Sequence, residues 1–380
     1  MNTNYLDNEE RLVLMLAKKN LSKEERGILI QLMESHLDWE RIMGSLSLHR
    51  IKGIAWSNLK KIFGRDFNIK LTYPNFFKEL DYAYRYQMLK AKENMKLTLE
   101  VCNEFEKNNV KHVVLKGFVS SSVIYNDFGM REFGDNDILI HSSQLEQALT
   151  ILKDKGYTQG NYNVINDEIT EASRREKIVR TMVSHEVIPL VHKGNPILPH
   201  HEVDLQFSID LMTGNKTDME VQQLLNRRVE MKLGEGSFYT LDLYDFLIFL
   251  CIHFYKEAIS LMEVLHYGDL NLYKLCDIYY LIEDFSNINW KEFLFRIQQL
   301  NVEKEVYYSL HYVINIFDLM IPVNIIKAIS PKNLDYINEV YYYNNENVAH
   351  VWGDPIIKRI FNIDRVKQIK VNEEFLGDRG

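Results

Sequence analysis

The sequence predicts an α+β protein in which a small mixed β-sheet with flanking helices is preceded and followed by helical regions. Three observations predict this class. Apolar residues recur at spacings of three and four in the first hundred residues and again after residue 242, which is typical of amphipathic helices. Short β-branched runs bounded by turn residues fill the stretch between. Glycine and proline are scarce, with 17 and 7 among 380 residues, which favours helix.

These patterns divide the chain into four parts. Residues 1–108 are predicted as an N-terminal helical region, 109–241 as an α/β core, 242–352 as a C-terminal helical region, and 353–380 as a polar tail that docks or frays. Within the first part, Ser22 followed by Glu25 predicts a capping box. A long helix is expected from about Asn75 to Asn108.

The α/β core is predicted from its strand signals. HVVLKG at 112–117 and DNDILI at 135–140 are two strands with a helix over 118–126 between them. HEVIPLVHK at 185–193 and ILPHHEVDLQF at 197–207 face each other around a turn, and a further hairpin spans 228–241. Residues 158–180 are polar and give no clear element, and a mobile lid over the site is one interpretation.

Charge and cysteine content argue against several classes of protein. The 45 basic and 53 acidic residues give a net charge of −8, which argues against nucleic acid as a partner. The three cysteines are far apart in sequence, which argues against a disulfide framework or a zinc site. The longest apolar run, Phe246–Tyr255, is about ten residues, whereas a membrane span needs about 20. With no secretory signal visible, we expect a cytoplasmic protein without a membrane partner; its oligomeric state is open.

Asp135 and Asp137 are the first candidates for chemistry. Residues two apart in a strand point to the same side, which places these carboxylates about 7 Å apart along it. Like charges at this distance are unfavourable unless a cation compensates, and Mg²⁺ prefers oxygen ligands. Taken alone, Asp-x-Asp favours a solvated strand end over a metal site.

Asp204 is a third acid in a strand that is half apolar. In EVDLQF, the side chains at 203, 205 and 207 face one way, and Glu202, Asp204 and Gln206 face the other. Two interpretations stay open: a sheet face open to water, or a third ligand beside Asp135 and Asp137. His200 and His201 precede Asp204 but point to opposite faces, so both cannot join one metal site.

Lys116 and Gly117 stand where the first strand gives way to a helix. A glycine there allows close approach of a phosphate, and a helix N-terminus offers free N–H groups. Ser120, Ser121 and Ser122 add hydroxyls in the first turns. The sequence contains no GxxxxGK[ST] loop, and a lone glycine is more typical of a plain strand end.

The order of these motifs resembles a known family. VLKG at 114–117, Arg131, GDNDILI at 134–140 and EVDLQF at 202–207 are similar to the DNA-polymerase-β-like nucleotidyltransferase superfamily. Within that superfamily, the sequence more closely resembles poorly characterised bacterial nucleotidyltransferases. LDWERIMGSLSLHRIKGIAWSNL at 37–59 is similar to their leading helices. YDFLIFLCIHFYKEA at 244–258 and LYKLCDIYYLI at 272–282 are similar to their trailing helices, so the resemblance covers most of residues 35–295.

The resemblance implies a mechanism and a set of site residues. Asp135, Asp137 and Asp204 would be catalytic and would hold two Mg²⁺ ions. An NTP such as ATP would be the substrate, and a nucleoside monophosphate would pass to an unknown small molecule, peptide or protein as pyrophosphate leaves. The implied substrate-binding residues are Lys116, Gly117, Ser120, Arg131, His253 and Lys256.

The sequence departs from the family pattern at three places. Lys-Gly stands where Gly-Ser is frequent in the superfamily, Asn136 replaces an apolar residue between the acids, and Gln206 stands where His is frequent. A non-catalytic nucleotide-binding or scaffold protein that keeps the fold is the alternative function. A wholly helical interaction module is a third hypothesis, in which the acids are incidental.

Overall fold

The computed structural model describes residues 5–64, 71–209, 218–285, 288–342 and 347–369. The chain forms two compact units, one of residues up to Tyr84 together with those from Leu250 onward, and one spanning Arg85–Phe249. The α+β class predicted from the sequence is confirmed. The predicted division at residues 108, 241 and 352 stays a prediction.

The N-terminal part of the first unit is helical because its apolar residues follow the helical repeat. Ser22 accepts a hydrogen bond from the Glu25 N–H at 3.1 Å, and Glu25 accepts one from the Ser22 N–H at 2.8 Å. The predicted capping box is therefore confirmed. The long predicted helix runs from Phe76 to Lys107 and crosses from the first unit into the second. The helices are α1 (Asn8–Ala17), α2 (Lys23–Glu34), α3 (Trp39–Leu48), α4 (Lys52–Phe63) and α5 (Phe76–Lys107).

The second unit is built on a mixed sheet. Among the described residues its eight strands follow the order β4-β3-β5-β6-β2-β1-β8-β7. Its elements are β1 (His112–Val114), α6 (Lys116–Val119), β2 (Asp135–Ile140), α7 (Leu145–Asp154), β3 (Thr158–Asn163), β4 (Glu168–Glu171), α8 (Arg174–Val183), β5 (Leu190–Lys193), β6 (His200–Gln206), α9 (Asp218–Asn226), β7 (Val229–Leu233) and β8 (Gly236–Thr240).

The pairing of β2 with β6 positions the candidate site. The two strands are parallel, with Asp137 opposite Asp204 and Asp135 opposite Glu202. On the other face of these strands, Ile138 and Leu205 pack into a core with α5 and α7. Because side chains alternate along a strand, burying this face turns the acids to the opposite face.

Two stretches of the second unit differ from the sequence prediction or extend it. The helix predicted over 118–126 is a four-residue α6 followed by a π-helical turn, Ser120–Ile124. Residues 158–180 contain the β3–β4 hairpin and most of α8, and β3 pairs with β5 at one side of the sheet. The lid interpretation of this segment stays a prediction.

The first unit continues through its C-terminal helices. They are α10 (Leu243–Ile259), which begins in the second unit, α11 (Leu261–Leu265), α12 (Leu272–Asp284), α13 (Trp290–Leu300), α14 (Glu303–Phe317) and α15 (Val323–Ile329). A hairpin of β9 (Glu339–Tyr341) and β10 (Val348–Val351) then follows within the segment predicted as helical. The tyrosine-rich sequence there suits a strand better than a helix.

The predicted polar tail contains a further helix, α16 (Ile356–Phe361), followed by a 3₁₀ turn. Ile356 and Ile360 are buried, and the buried guanidinium of Arg365 pairs with Asp269 at 2.5 Å. The tail is therefore docked as far as Ile369, and the rest of it lies outside the described residues. No helix in the described ranges has the length and hydropathy required to cross a bilayer.

Candidate metal and nucleotide site

Three carboxylates meet at the acid-bearing face of β2 and β6. Asp135, Asp137 and Asp204 each present an oxygen that lies within 4.8 Å of the other two. Asp135 is exposed, Asp137 is buried and Asp204 is half-buried, so the cluster extends from solvent into the protein. Alternation along each strand and the parallel register together produce this convergence.

Burial makes the charged forms of two of these acids costly. It raises the pKa of Asp137 to about 7, although the neighbouring ammonium of Lys116 acts in the opposite direction. The pKa of Asp204 lies well above its usual range, chiefly through burial and then through the charge of Asp137. Within the described part of the chain, Asp137 Oδ2 and Asp204 Oδ1 are buried without a hydrogen-bond partner. Buried carboxylate oxygens of this kind call for a proton or a cation.

The second oxygen of Asp137 is held by two donors. Lys116 Nζ donates to Asp137 Oδ1 at 2.6 Å, and Gln206 Nε2 donates to the same atom at 2.5 Å. The main chain is tied as well, because the Leu115 N–H donates to the Asp137 carbonyl at 2.9 Å. These bonds fix one oxygen of the carboxylate, whereas the other, Oδ2, is buried without a partner among the described residues.

The Lys116–Gly117 junction has an unusual backbone. Lys116 adopts a φ of 51°, the left-handed region in which a non-glycine residue is strained. A Cβ on Gly117 would lie 2.4 Å from Phe133 Cβ, so only glycine fits there. Packing on Phe133 therefore accounts for the glycine in this structure, besides the phosphate contact expected from the sequence.

The other candidate substrate residues differ in their settings. Ser120 is fully buried in the π-helical turn, and Arg131 is almost fully buried, with its guanidinium directed at the Glu132 carbonyl. His253 and Lys256 lie on α10 in the other unit, where His253 Nε2 is 3.3 Å from Glu257 Oε2. Their predicted contacts with a nucleotide stay predictions.

Sequence reasoning did not assign a role to three residues beside the cluster. Gln206, for which no consequence was foreseen, is a direct partner of Asp137. Glu186 pairs with Arg180, and its charge raises the pKa of both Asp137 and Asp204 after burial and the nearer charges. Glu202 lies opposite Asp135, and burial raises its pKa. The alternation of EVDLQF signalled Glu202 and Gln206, whereas Glu186 is brought close only by its pairing with β6.

A comparison with protein families decides the identity of the chain. The model of a family described as an uncharacterised nucleotidyltransferase matches residues 35–318. The chain belongs to this family. Membership confirms the resemblance found in the sequence and supports nucleotidyl transfer, with an NTP as substrate, as the general function.

Similarity to individual proteins is low. No curated protein matches this chain. A crystal structure of an antigenic nucleotidyltransferase-like protein from Paracoccidioides brasiliensis is similar at 13% identity and a TM-score of 0.38. The likeness covers 63% of this chain and 92% of that one.

Proposed function

We propose that this protein is a Mg²⁺-dependent nucleotidyltransferase that moves a nucleoside monophosphate from an NTP to an acceptor. The acceptor is a hydroxyl, phosphate or amine on a small molecule, peptide or protein. The acceptor atom forms a bond to the α-phosphorus, and the bond from that phosphorus to the bridging oxygen of pyrophosphate breaks. The acceptor loses a proton and pyrophosphate leaves.

The proposal is supported by two buried carboxylate oxygens of the cluster that have no hydrogen-bond partner among the described residues. These atoms are Asp137 Oδ2 and Asp204 Oδ1. Asp135, Asp137 and Asp204 also each present one oxygen within 4.8 Å of an oxygen of the other two. Oxygen donors of this number and spacing fit hard divalent cations. A bound pair of Mg²⁺ ions would stabilise the attacking and leaving oxygens at phosphorus.

The residues of the chain have separate roles in this proposal. Asp135, Asp137 and Asp204 hold the cations, and Asp204 assists removal of the acceptor proton. Lys116 neutralises Asp137 in the metal-free protein, and its flexible ammonium is then available for the triphosphate once a cation binds. The strand-to-helix junction at Gly117, together with Ser120 and Arg131, is proposed to bind the phosphates. His253 and Lys256 are proposed to contact the nucleotide.

Pyrophosphate release tests the reaction. Wild-type protein would be incubated with each of the four NTPs and Mg²⁺ beside Asp137→Asn and a control, Asp154→Asn, which changes an exposed acid at the end of α7. We expect release with at least one NTP from wild type and control, and a loss of about 10³-fold or more in Asp137→Asn, in line with losing electrostatic stabilisation at phosphorus.

If no pyrophosphate is released, a second measurement is needed, because the acceptor is unidentified. NTP binding would be measured by calorimetry with Mg²⁺ and with EDTA. Mg²⁺-dependent binding without release, also in the presence of cell extract as a source of acceptors, would favour the non-catalytic nucleotide-binding protein. Absence of binding under both conditions would contradict the proposed function. The hypothesis of a wholly helical interaction module is wrong in any case, because the chain contains a mixed β-sheet.

A further inference from the structure

Helix α5 carries a row of buried polar side chains where an apolar face is expected. Gln87, Asn94 and Thr98 are spaced by seven and four residues and therefore share one face of the helix. Their exposed fractions are 6%, 1% and 0%. Burying an amide or hydroxyl is costly unless it forms a hydrogen bond, so each of these side chains needs a partner inside the protein.

The partners are successive points on the segment that leads into β2. Gln87 Nε2 donates to the Arg131 carbonyl at 2.9 Å, and Asn94 Nδ2 donates to the Gly134 carbonyl at 3.4 Å. Thr98 Oγ1 lies 2.9 Å from Asn136 Oδ1, between the two acids of β2. Three side chains of α5 therefore form hydrogen bonds with three residues of the segment 131–136.

Asn136 extends the connection to β6. Its Nδ2 donates to the Glu202 carbonyl at 2.9 Å and lies 3.2 Å from His201 Nε2. His201 Nε2 also lies 3.0 Å from Thr98 Oγ1, and His201 Nδ1 lies 2.7 Å from the Tyr157 hydroxyl. Burial lowers the pKa of His201 to about 3, which agrees with a neutral ring.

This network lies directly behind the carboxylate cluster. Asn136 alternates with Asp135 and Asp137, and His201 alternates with Glu202 and Asp204, so both side chains occupy the face opposite to the acids. The clustered carboxylates repel one another and tend to separate the strands that carry them. Hydrogen bonds on the opposite face resist that separation without occupying the site.

We propose that Thr98, Asn136 and His201 are positioning residues that hold β2 and β6 together so that Asp137 and Asp204 stay at a common ligand distance. The role of this network toward a bound cation rests on the proposed function. Its role in holding the two strands does not, and the two roles are tested separately. This assignment also gives a reason for the fully buried polar side chain at position 136.

The test compares two matched threonine variants. Thr98→Val removes the hydroxyl that faces Asn136, whereas Thr240→Val removes an equally buried hydroxyl that donates to the Val114 carbonyl at 2.8 Å on β1, a strand without any of the three acids. Both variants keep the shape of the side chain and remove one buried hydroxyl. The Thr98 hydroxyl also lies 3.0 Å from the Asn94 carbonyl and 3.0 Å from His201 Nε2. Thr98→Ser retains the hydroxyl and serves as the rescue.

The first measurement is amide hydrogen exchange of the metal-free proteins, followed by mass spectrometry. In Thr98→Val we expect exchange of residues 134–138 and 200–206 to rise about tenfold, as loss of one buried hydrogen bond allows. Thr240→Val leaves these segments unchanged, and Thr98→Ser restores the wild-type rates. Equal increases in both valine variants, or no increase in Thr98→Val, would overturn the proposal.

The second measurement is the affinity for Mn²⁺ alone, a probe for the Mg²⁺ site, by calorimetry. Thr98→Val is expected to bind about tenfold more weakly, as is typical when residues behind metal ligands change, and Thr240→Val is expected to bind as wild type. Faster exchange with unchanged Mn²⁺ affinity would overturn the metal-site role. If wild type binds no Mn²⁺, the proposed function fails, while the exchange result still decides whether the network holds the strands.

Discussion

The two carboxylate oxygens of Asp137 have different surroundings. Lys116 and Gln206 donate to Oδ1, whereas Oδ2 is buried without a partner in the part of the chain that the structure describes. Asp204 has a similarly isolated Oδ1. In the metal-free protein the ionised forms of these acids therefore destabilise the fold that brings them together.

This conflict gives a pH-dependent prediction for Asp204→Asn. The folded protein holds its Asp204 proton to a higher pH than the unfolded chain, in which an aspartate has a pKa of about 3.9. The contribution of protonated Asp204 to the free energy of unfolding is fully present below about pH 3.9, the pKa in the unfolded chain. It is lost as the pH rises through the pKa in the folded protein. In EDTA, Asp204→Asn should therefore unfold at a higher temperature than wild type at pH 8, with a smaller gain at pH 5. Each kcal/mol gained corresponds to about 1–2 °C for a chain of 380 residues that unfolds as one, because the entropy of unfolding grows with length.

The same variant should lose pyrophosphate release, because it removes a proposed cation ligand. Asp154→Asn is the control for both thermal unfolding and activity, since that side chain is exposed. A gain in unfolding temperature that is equal at pH 5 and pH 8 would contradict the electrostatic explanation.

Gly117 provides a second prediction at the scale of one residue. An alanine Cβ would lie 2.4 Å from Phe133 Cβ, an atom next to the main chain that cannot rotate away. Gly117→Ala should destabilise the protein by about 1–3 kcal/mol, measured by denaturant unfolding. Gly44→Ala is the control, because nothing lies within 4 Å of the added carbon in α3 and the change should stabilise by up to about 1 kcal/mol. Equal effects of the two substitutions would contradict the packing argument.

At the scale of elements, α2 and α8 begin with the same capping box but differ in burial. Ser22 and Glu25 cap α2, whose Leu29 and Leu32 are buried. Ser173 and Glu176 cap α8, which has no buried residue. A ten-residue helix is marginal by itself in water, so α8 depends more on its cap than on packing.

Removing the two caps should therefore have different results. Ser173→Ala should raise amide exchange across α8 by roughly five- to tenfold, as loss of about 1 kcal/mol of capping allows, without lowering the global unfolding temperature. Ser22→Ala should instead lower global stability by about 1 kcal/mol, because α2 is packed into its unit. The comparison uses exchange mass spectrometry and thermal unfolding. A global loss in both variants would show that α8 is more tightly coupled than its exposure indicates.

At the scale of the whole molecule, the net charge of −8 opposes binding of a triphosphate. The candidate site adds to this repulsion, because Glu186 and Glu202 lie beside the three aspartates. We expect NTP affinity, measured by calorimetry, to be at least about tenfold higher with Mg²⁺ than with EDTA, a coupling of about 1.4 kcal/mol. Asp137→Asn should lose most of this difference. Equal affinity with Mg²⁺ and with EDTA in wild type would argue against cations joining the nucleotide to the acids.

The sequence by itself determined the α+β class, the strand at Asp135–Ile140 and the facing strands that contain Asp204. These features follow from local patterns: alternation over a few residues, helical spacing and turn residues. Local patterns also placed Asp135 and Asp137 on one side of a strand. The family resemblance supplied the relation of that pair to Asp204.

Only the tertiary structure decided how these parts meet. The parallel register that sets Asp137 opposite Asp204, the pairing that brings Glu186 near, and the attachment of α5 to residues 131–136 join residues far apart in sequence. For the same reason the sequence did not predict the hairpin of β9 and β10 and left open whether the tail docks or frays. Contacts between distant segments depend on which faces are buried against each other, and burial is a property of the folded chain that no short window of sequence contains.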